Sequence, residues 1–275
     1  MLSARSTRKT TLLKYYKKEM KRIVIVILTA ILLCGCRQTK NEPTESEPLT
    51  VPLSPTDDAS QFMVLAEAIP DVILEIRYYG TYNFVGARVD GYEEPIALLT
   101  RQAADSLRAV SDDLLEQGYR LKIYDAYRPQ CAVDHFVRWA ADVNDTLMKP
   151  YFYPEVPRDS LFELGYIAKR SGHTRGSTVD LTLFDMETEK EVDMGGTFDW
   201  FGLESHPDFG GNPQTGEYKG DAQITAEQFH NRMILREAML RHGFKAINEE
   251  WWHFTLKNEP FPDTYFTFPV KRLPN

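Results

Sequence analysis

Two short stretches of the chain place histidines close to carboxylates, in a pattern that suits a catalytic metal. The stretch "SGHTRGSTVD" holds His173 and Asp180 seven positions apart, and "EEWWHF" holds His253 about seventy residues later. A catalytic zinc usually has three protein ligands and one open position for water, and imidazole nitrogen and carboxylate oxygen are both suitable ligands. The three side chains are therefore candidate ligands for one Zn²⁺ per chain. A loop histidine and a core histidine beside two tryptophans remain the alternative.

A metal hydrolase also needs a base for the attacking water and a group that stabilises a developing oxyanion. Both acids of "EEWWHF" are candidate bases. If this segment is a strand, alternation puts Glu249 on the face of His253 and Glu250 on the opposite face, so periodicity alone favours Glu249. In "YDAYRP", Arg128 follows a predicted strand, where an arginine can stabilise negative charge on a carbonyl oxygen. A solvent-exposed arginine without a role is the alternative.

The elements that must position these residues are predicted to form one α+β domain. Strands are predicted where β-branched and aromatic residues cluster or alternate with polar ones, and helices where apolar residues recur every three or four positions. The two kinds of element follow one another without a regular βαβ rhythm, which favours α+β over a doubly wound sheet. The predicted strands are 72–79, 120–127, 178–185 and 247–257, and the predicted helices are 96–117, 130–140, 159–169 and 225–243.

Residues 1–35 have the pattern of a bacterial export signal with a lipobox. A basic segment at 20–22 precedes a mainly apolar segment of eleven residues, which is too short to span a bilayer core of roughly 30 Å and is typical of a secretory signal. The following "LCGC" resembles a lipobox, whose cleavage leaves Cys36 at the new N-terminus with a lipid. We expect an exported, membrane-anchored lipoprotein that faces the periplasm or the cell exterior. Met20 is a candidate translation start, and an ordinary soluble secretory signal is the alternative.

Charge and composition separate this N-terminal part from the predicted working domain. After the lipidated Cys36, residues 37–60 are rich in Pro, Ser, Thr and acids, which predicts that 36–60 form a flexible tether and that the domain comprises 61–275. Residues 1–35 hold eight basic side chains and one acidic one, so the formal charge of −8 for the chain becomes −15 for the remainder. Such an acidic domain argues against a nucleic-acid partner.

Several motifs together resemble the zinc D-alanyl-D-alanine dipeptidases of the vancomycin-resistance type. The resembling stretches are spread over residues 62–270 and include "NFVGARVDGY", "YDAYRP", "SGHTRGSTVDLTLFD", "MGGTFDW" and "EEWWHFTLKNEP". The resemblance implies a single α+β domain with a central, mainly antiparallel sheet flanked by helices, the Hedgehog/DD-peptidase-like fold.

The resemblance also implies a role for each motif residue. It makes the three candidate ligands a zinc site and makes Glu250, rather than Glu249, the general base. Arg128 matches the arginine that polarises the scissile carbonyl. The implied substrate-binding residues are Asp199, which would hold the substrate ammonium, and Ser171, Tyr78 and Tyr92, which would line the pocket.

The implied activity is zinc-dependent hydrolysis of D-alanyl-D-alanine or related dipeptides. An exported enzyme does not meet the cytoplasmic pool of precursor dipeptide, so we expect a role in cell-wall turnover or recycling. One alternative is a carboxypeptidase or endopeptidase of the same zinc group that acts on peptidoglycan stem peptides. Another is a non-catalytic lipoprotein that binds wall fragments, although the complete catalytic set counts against it. The expected partners are a D,D-dipeptide and, through the lipid, the membrane.

Overall fold

The computed structural model describes residues 54–220 and 223–273. The predicted export signal, the candidate start at Met20, the lipidated Cys36 and residues 37–53 of the predicted tether lie outside the described residues. Within the described ranges, no helix is both long enough and apolar enough to cross a bilayer.

A six-stranded sheet forms the centre of the domain and carries the metal-site motifs. Its strand order is β10-β11-β6-β5-β3, and β7 pairs with β6 beside this path. All pairings are antiparallel except that of β3 with β5. The predicted fold class, a mainly antiparallel sheet flanked by helices in one α+β domain, is confirmed. The strands of this sheet are β3 (Ile73–Leu74), β5 (Tyr119–Asp125), β6 (Thr178–Asp185), β7 (Lys190–Glu191), β10 (Phe244–Ala246) and β11 (His253–Leu256).

Three two-stranded pairings complete the strands of the described chain. They join β1 to β12 in parallel, and join β2 to β4 and β8 to β9 antiparallel. Their bounds are β1 (Ser54–Thr56), β2 (Phe62–Val64), β4 (Leu98–Thr100), β8 (Gly211–Asn212), β9 (Glu217–Tyr218) and β12 (Thr264–Phe266).

Ordered backbone begins before residue 61, where the sequence predicts the start of the domain. β1 lies inside the predicted tether, yet it pairs in register with β12 from Ser54 opposite Thr264 to Thr56 opposite Phe266. Composition does not reveal such a strand, because the pairing uses backbone N–H and C=O groups that every non-proline residue has.

The three long helices form where they are predicted, but the first, α2 (Arg101–Leu115), begins five residues later than predicted because Leu98–Thr100 form β4. In α2, the residues at helical spacing, Ala103, Leu107, Val110 and Leu114, are fully buried, and the helix packs on β5. The predicted capping box is present at α5, where Thr225 Oγ1 accepts the Gln228 N–H and Gln228 Oε1 accepts the Thr225 N–H. The helices are α1 (Leu65–Ala68), α2 (Arg101–Leu115), α3 (Gln130–Ala141), α4 (Lys149–Phe152) and α5 (Ala226–Arg241).

Three further predictions of regular structure were too long. Of the strand predicted at 72–79 only Ile73–Leu74 pairs, and of the helix predicted at 159–169 only one 3₁₀ turn forms, Arg158–Ser160. The strand predicted at 247–257 begins only at His253, because the Trp251 N–H donates to the carbonyl of Ser205 instead of joining a ladder. The last of these differences changes the choice of base.

Candidate active site

Strand pairing brings the three predicted metal ligands together. Asp180 lies in β6 and faces His253, the first residue of β11, directly across the antiparallel ladder. His173 lies in the 3₁₀ turn Gly172–Arg175 that precedes β6. His173 Nε2 is 3.2 Å from Asp180 Oδ2 and 3.2 Å from His253 Nδ1, and His253 Nδ1 is 3.0 Å from Asp180 Oδ1. One ligand atom from each residue lies within 4.8 Å of the other two.

This arrangement fits a tetrahedral zinc. Zn–N distances of 2.0–2.1 Å at tetrahedral angles separate two ligand atoms by about 3.3 Å, close to the separations observed. Asp180 Oδ1 is buried and accepts no well-directed hydrogen bond, as expected for an oxygen whose partner is an ion. His173 Nδ1 donates to the carbonyl of Ala126 at 2.7 Å, which leaves its Nε2 lone pair directed at the site. Two imidazoles and one carboxylate form a donor set that catalytic zinc sites use.

The protonation of Asp180 and His253 depends on their charged neighbours. Burial lowers the pKa of the His253 imidazole, but the neighbouring carboxylates of Asp180 and Glu250 outweigh burial and raise it to about 9. Burial opposes ionisation of Asp180 as well, yet the neighbouring His173 and His253 hold the pKa of its carboxyl well below the usual range. A metal ion that binds here at neutral pH therefore displaces a proton from His253.

Glu250 lies beside the ligands and Glu249 does not. Glu250 Oε2 is 3.4 Å from His253 Nδ1, and Glu250 lines the same cavity as the ligands. Glu249 turns back on its own segment, where Oε2 accepts the Asn248 N–H at 3.1 Å. The choice of Glu249 from alternation was wrong because both glutamates precede β11, so the two-residue period of a strand does not apply to them.

Arg128 is held at the cavity wall by an ion pair. Its Nε and Nη2 lie 2.9 and 2.8 Å from Asp125 Oδ2, and Nη2 is 3.6 Å from Asp180 Oδ2. The guanidinium also lies over the ring of Tyr78, 4.9 Å from its centroid. Arg128 therefore has a fixed orientation in which it remains close to the metal ligands.

The cavity that these residues share has a volume of about 210 Å³. Pockets for drug-sized ligands occupy roughly 300–1,000 Å³, so this one suits a smaller molecule. Its lining includes the aromatic residues Tyr78, Phe84 and Phe136 as well as the metal ligands, Glu250 and Arg128. Arg128 packs over the rings of Tyr78 and Phe136. Ser171 lies at the edge, where its hydroxyl accepts the His173 N–H at 3.2 Å.

Comparison with known proteins identifies the family of this chain. Residues 58–271 match the model of the peptidase M15 family, described as D-ala-D-ala dipeptidase. The chain belongs to this family. Three relatives, each named D-alanyl-D-alanine dipeptidase, share 40% (Enterococcus faecalis), 38% (Enterococcus faecium) and 37% (Streptomyces coelicolor) identity with it. Each alignment covers 76% of this chain and 98% of the relative. The resemblance seen in the motifs is confirmed, and the chain is a metallopeptidase of a zinc peptidase family.

This M15 peptidase has a strained acid in its cavity, Asp199. Its φ of 61° lies in the left-handed region, which costs a residue other than glycine about 1–3 kcal/mol, although aspartate is among the more tolerant types. Asp199 is buried, and the Tyr78 hydroxyl donates to its carboxylate at 3.0 Å. Burial raises the pKa of the carboxyl well above its usual value, and the charges of Asp180 and Glu250 raise it further. A cationic ligand group would reverse this effect by pairing with the carboxylate.

Asp125 was not among the residues selected from the sequence, although it holds Arg128 in place. It ends β5, whose register against β6 shifts between Ile123 and Asp125, and it is completely buried. The Tyr92 hydroxyl donates to Asp125 Oδ1 at 2.6 Å. Tyr92 was predicted to line the pocket, but the structure places it behind Asp125 and outside the cavity wall. The local signal for Asp125 was an acid at the end of a predicted strand, three residues before Arg128.

Proposed function

We propose that this chain hydrolyses D-alanyl-D-alanine or a closely related dipeptide with water activated by zinc. The observation that carries the proposal is one small cavity that holds a zinc donor set, an adjacent carboxylate base and a second, buried carboxylate. The named activity of the curated relatives supports the same choice of substrate.

His173, Asp180 and His253 would hold the metal, and the other cavity residues have separate tasks in the reaction. When bound, Zn²⁺ acts as a Lewis acid and lowers the pKa of water toward about 7. Glu250 takes a proton from the attacking water and returns it to the leaving amine. Arg128 donates an N–H to the carbonyl oxygen as negative charge develops there, and its contact with Asp125 keeps it in position before the reaction.

Selectivity for dipeptides follows from the buried carboxylate of Asp199. A free dipeptide has an ammonium at its N-terminus, which can pair with this carboxylate in place of water. A peptide extended at its N-terminus has a neutral amide at that point, so it loses the buried ion pair with Asp199 and with it several kcal/mol of binding free energy. The same argument applies to any dipeptide whose amino group is blocked.

A substrate panel tests the proposal directly. The purified, zinc-loaded protein is given D-Ala-D-Ala, L-Ala-L-Ala, N-acetyl-D-Ala-D-Ala and a stem pentapeptide, and product amines are measured over time. We expect D-Ala-D-Ala to be the best substrate. Its kcat/KM should exceed that of the N-acetyl derivative by at least about 10³-fold, which corresponds to several kcal/mol. Turnover of the pentapeptide with none of the free dipeptide would instead favour the stem-peptide carboxypeptidase or endopeptidase.

We propose further that the enzyme is exported and anchored through a lipid on Cys36, and that it serves wall turnover or recycling. The export signal and the lipobox support this location.

Intact cells that produce the protein should hydrolyse D-Ala-D-Ala supplied outside, and the activity should sediment with membranes. The substitution Cys36→Ser should reduce the sedimenting fraction. Activity that appears only after the cells are broken open would place the site in the cytoplasm and exclude this proposal.

A further inference from the structure

The substrate cavity contains a cation that the proposed reaction does not use, Arg170. This residue precedes Ser171, and both line the cavity. The Arg170 side chain is solvent-exposed, and its guanidinium lies 5.9 Å from the ring centroid of Tyr265. It therefore lies where the cavity lining is open to solvent.

The neighbouring arginines are already paired with acids, whereas Arg170 is not. Arg175 lies near the same Tyr265 ring, but its guanidinium forms two 2.8 Å hydrogen bonds with the carboxylate of Glu259. Arg128, the other arginine of the cavity, is paired with Asp125. Among the residues that line the cavity, all of which are described, Arg170 is the arginine without a carboxylate contact.

A dipeptide in this cavity needs such a cation. The cavity lining includes the carboxyl groups of Asp180, Asp199 and Glu250, and its other arginine, Arg128, is paired with Asp125. Apart from the metal, the C-terminal carboxylate of a substrate therefore finds no unpaired arginine there except Arg170. Losing hydration without gaining a partner is costly for any ionised group. Arg170 and Asp199 line the same cavity and form no ion pair with each other, so the two side chains can bind opposite ends of a zwitterion.

We infer that Arg170 binds the C-terminal carboxylate of the dipeptide, an inference that rests on the proposed function. With Asp199 on the ammonium and Arg170 on the carboxylate, the two charges select the length of the substrate from both ends. A peptide extended at either end loses one of the two pairs. Because Arg170 is exposed, its contribution is smaller than that of the buried Asp199 and is weakened by salt.

The test compares the free acid with an uncharged analogue. KM and kcat are measured for D-Ala-D-Ala and D-Ala-D-alaninamide with the wild-type protein, Arg170→Gln and Arg170→Lys. We expect Arg170→Gln to raise KM for the acid by about five- to tenfold at low salt, with kcat nearly unchanged and KM for the amide unaltered. Arg170→Lys should retain part of the preference. Lys169→Gln is the matched control, because it removes an exposed charge at the adjacent position, outside the cavity wall.

A binding measurement separates recognition from chemistry. In a Glu250→Gln background, calorimetry with D-Ala-D-Ala should show affinity weakened by the same factor when Arg170 is replaced. An acid-to-amide preference that Arg170→Gln leaves unchanged would overturn the assignment of Arg170 while the dipeptidase activity stands. Absence of D-Ala-D-Ala hydrolysis by the wild-type protein would overturn the proposed function, and this inference with it.

Discussion

Glu250→Gln lowers kcat for D-Ala-D-Ala by about 10³-fold and leaves the zinc content unchanged. The amide has nearly the same shape as the carboxylate but cannot accept a proton, and general bases contribute about 10²–10⁴-fold to such reactions. Glu250 lies 3.4 Å from His253 without being one of the three converging ligands. Metal binding should therefore survive the substitution, and the loss should appear in kcat rather than in zinc stoichiometry.

The adjacent acid provides the matched control. Glu249→Gln makes the same chemical change one position earlier, in a side chain that bonds the Asn248 N–H and does not line the cavity. We expect it to retain wild-type kcat and KM. Full turnover by Glu250→Gln, or an equal loss in both variants, would show that the base is another group.

This pair of variants also marks where prediction from local sequence ends. The strand at Thr178–Asp185 is predicted with its observed bounds, because the alternation of Val179, Leu181 and Leu183 depends only on neighbouring residues. The beginning of β11 depends on a distant segment, since the Trp251 N–H bonds the carbonyl of Ser205. The hydrophobic periodicity of the sequence does not depend on that contact, so it favoured Glu249. Only the motif resemblance indicated Glu250.

The residues that support the site were harder to predict than those predicted to act in it. The metal ligands are recognisable because their side-chain types are specific to the chemistry, whatever fold brings them together. Asp125 acts through Arg128, and its direction depends on a register shift between β5 and β6 that no local pattern reports. The role of Tyr92 was misjudged for the same reason, because its partner is Asp125 rather than the cavity. The roles of Asp125 and Tyr92 depend on tertiary contacts rather than on residue type.

The substitution His253→Ala should remove both the metal and the activity. It deletes one of three ligands and the cation that faces Asp180 Oδ1 at 3.0 Å, so the remaining pair has neither the geometry nor the charge balance of a zinc site. We expect zinc, measured by atomic absorption after dialysis, to fall from one per chain to below about a tenth, and activity to fall by at least about 10³-fold. His135→Ala is the control, because that histidine contacts Asp90 instead of the metal ligands.

Protons and zinc compete for His253, so the zinc affinity of the site should depend on pH. The pKa of His253, about 9 without metal, means that zinc must displace a proton at any lower pH. Zinc affinity should therefore rise by up to about tenfold per pH unit as pH increases toward 9 and level off above it, as measured by competition with a chelator. A pH-independent affinity, or full activity of the wild-type protein after exhaustive chelation, would contradict the assignment of these three residues to a catalytic metal.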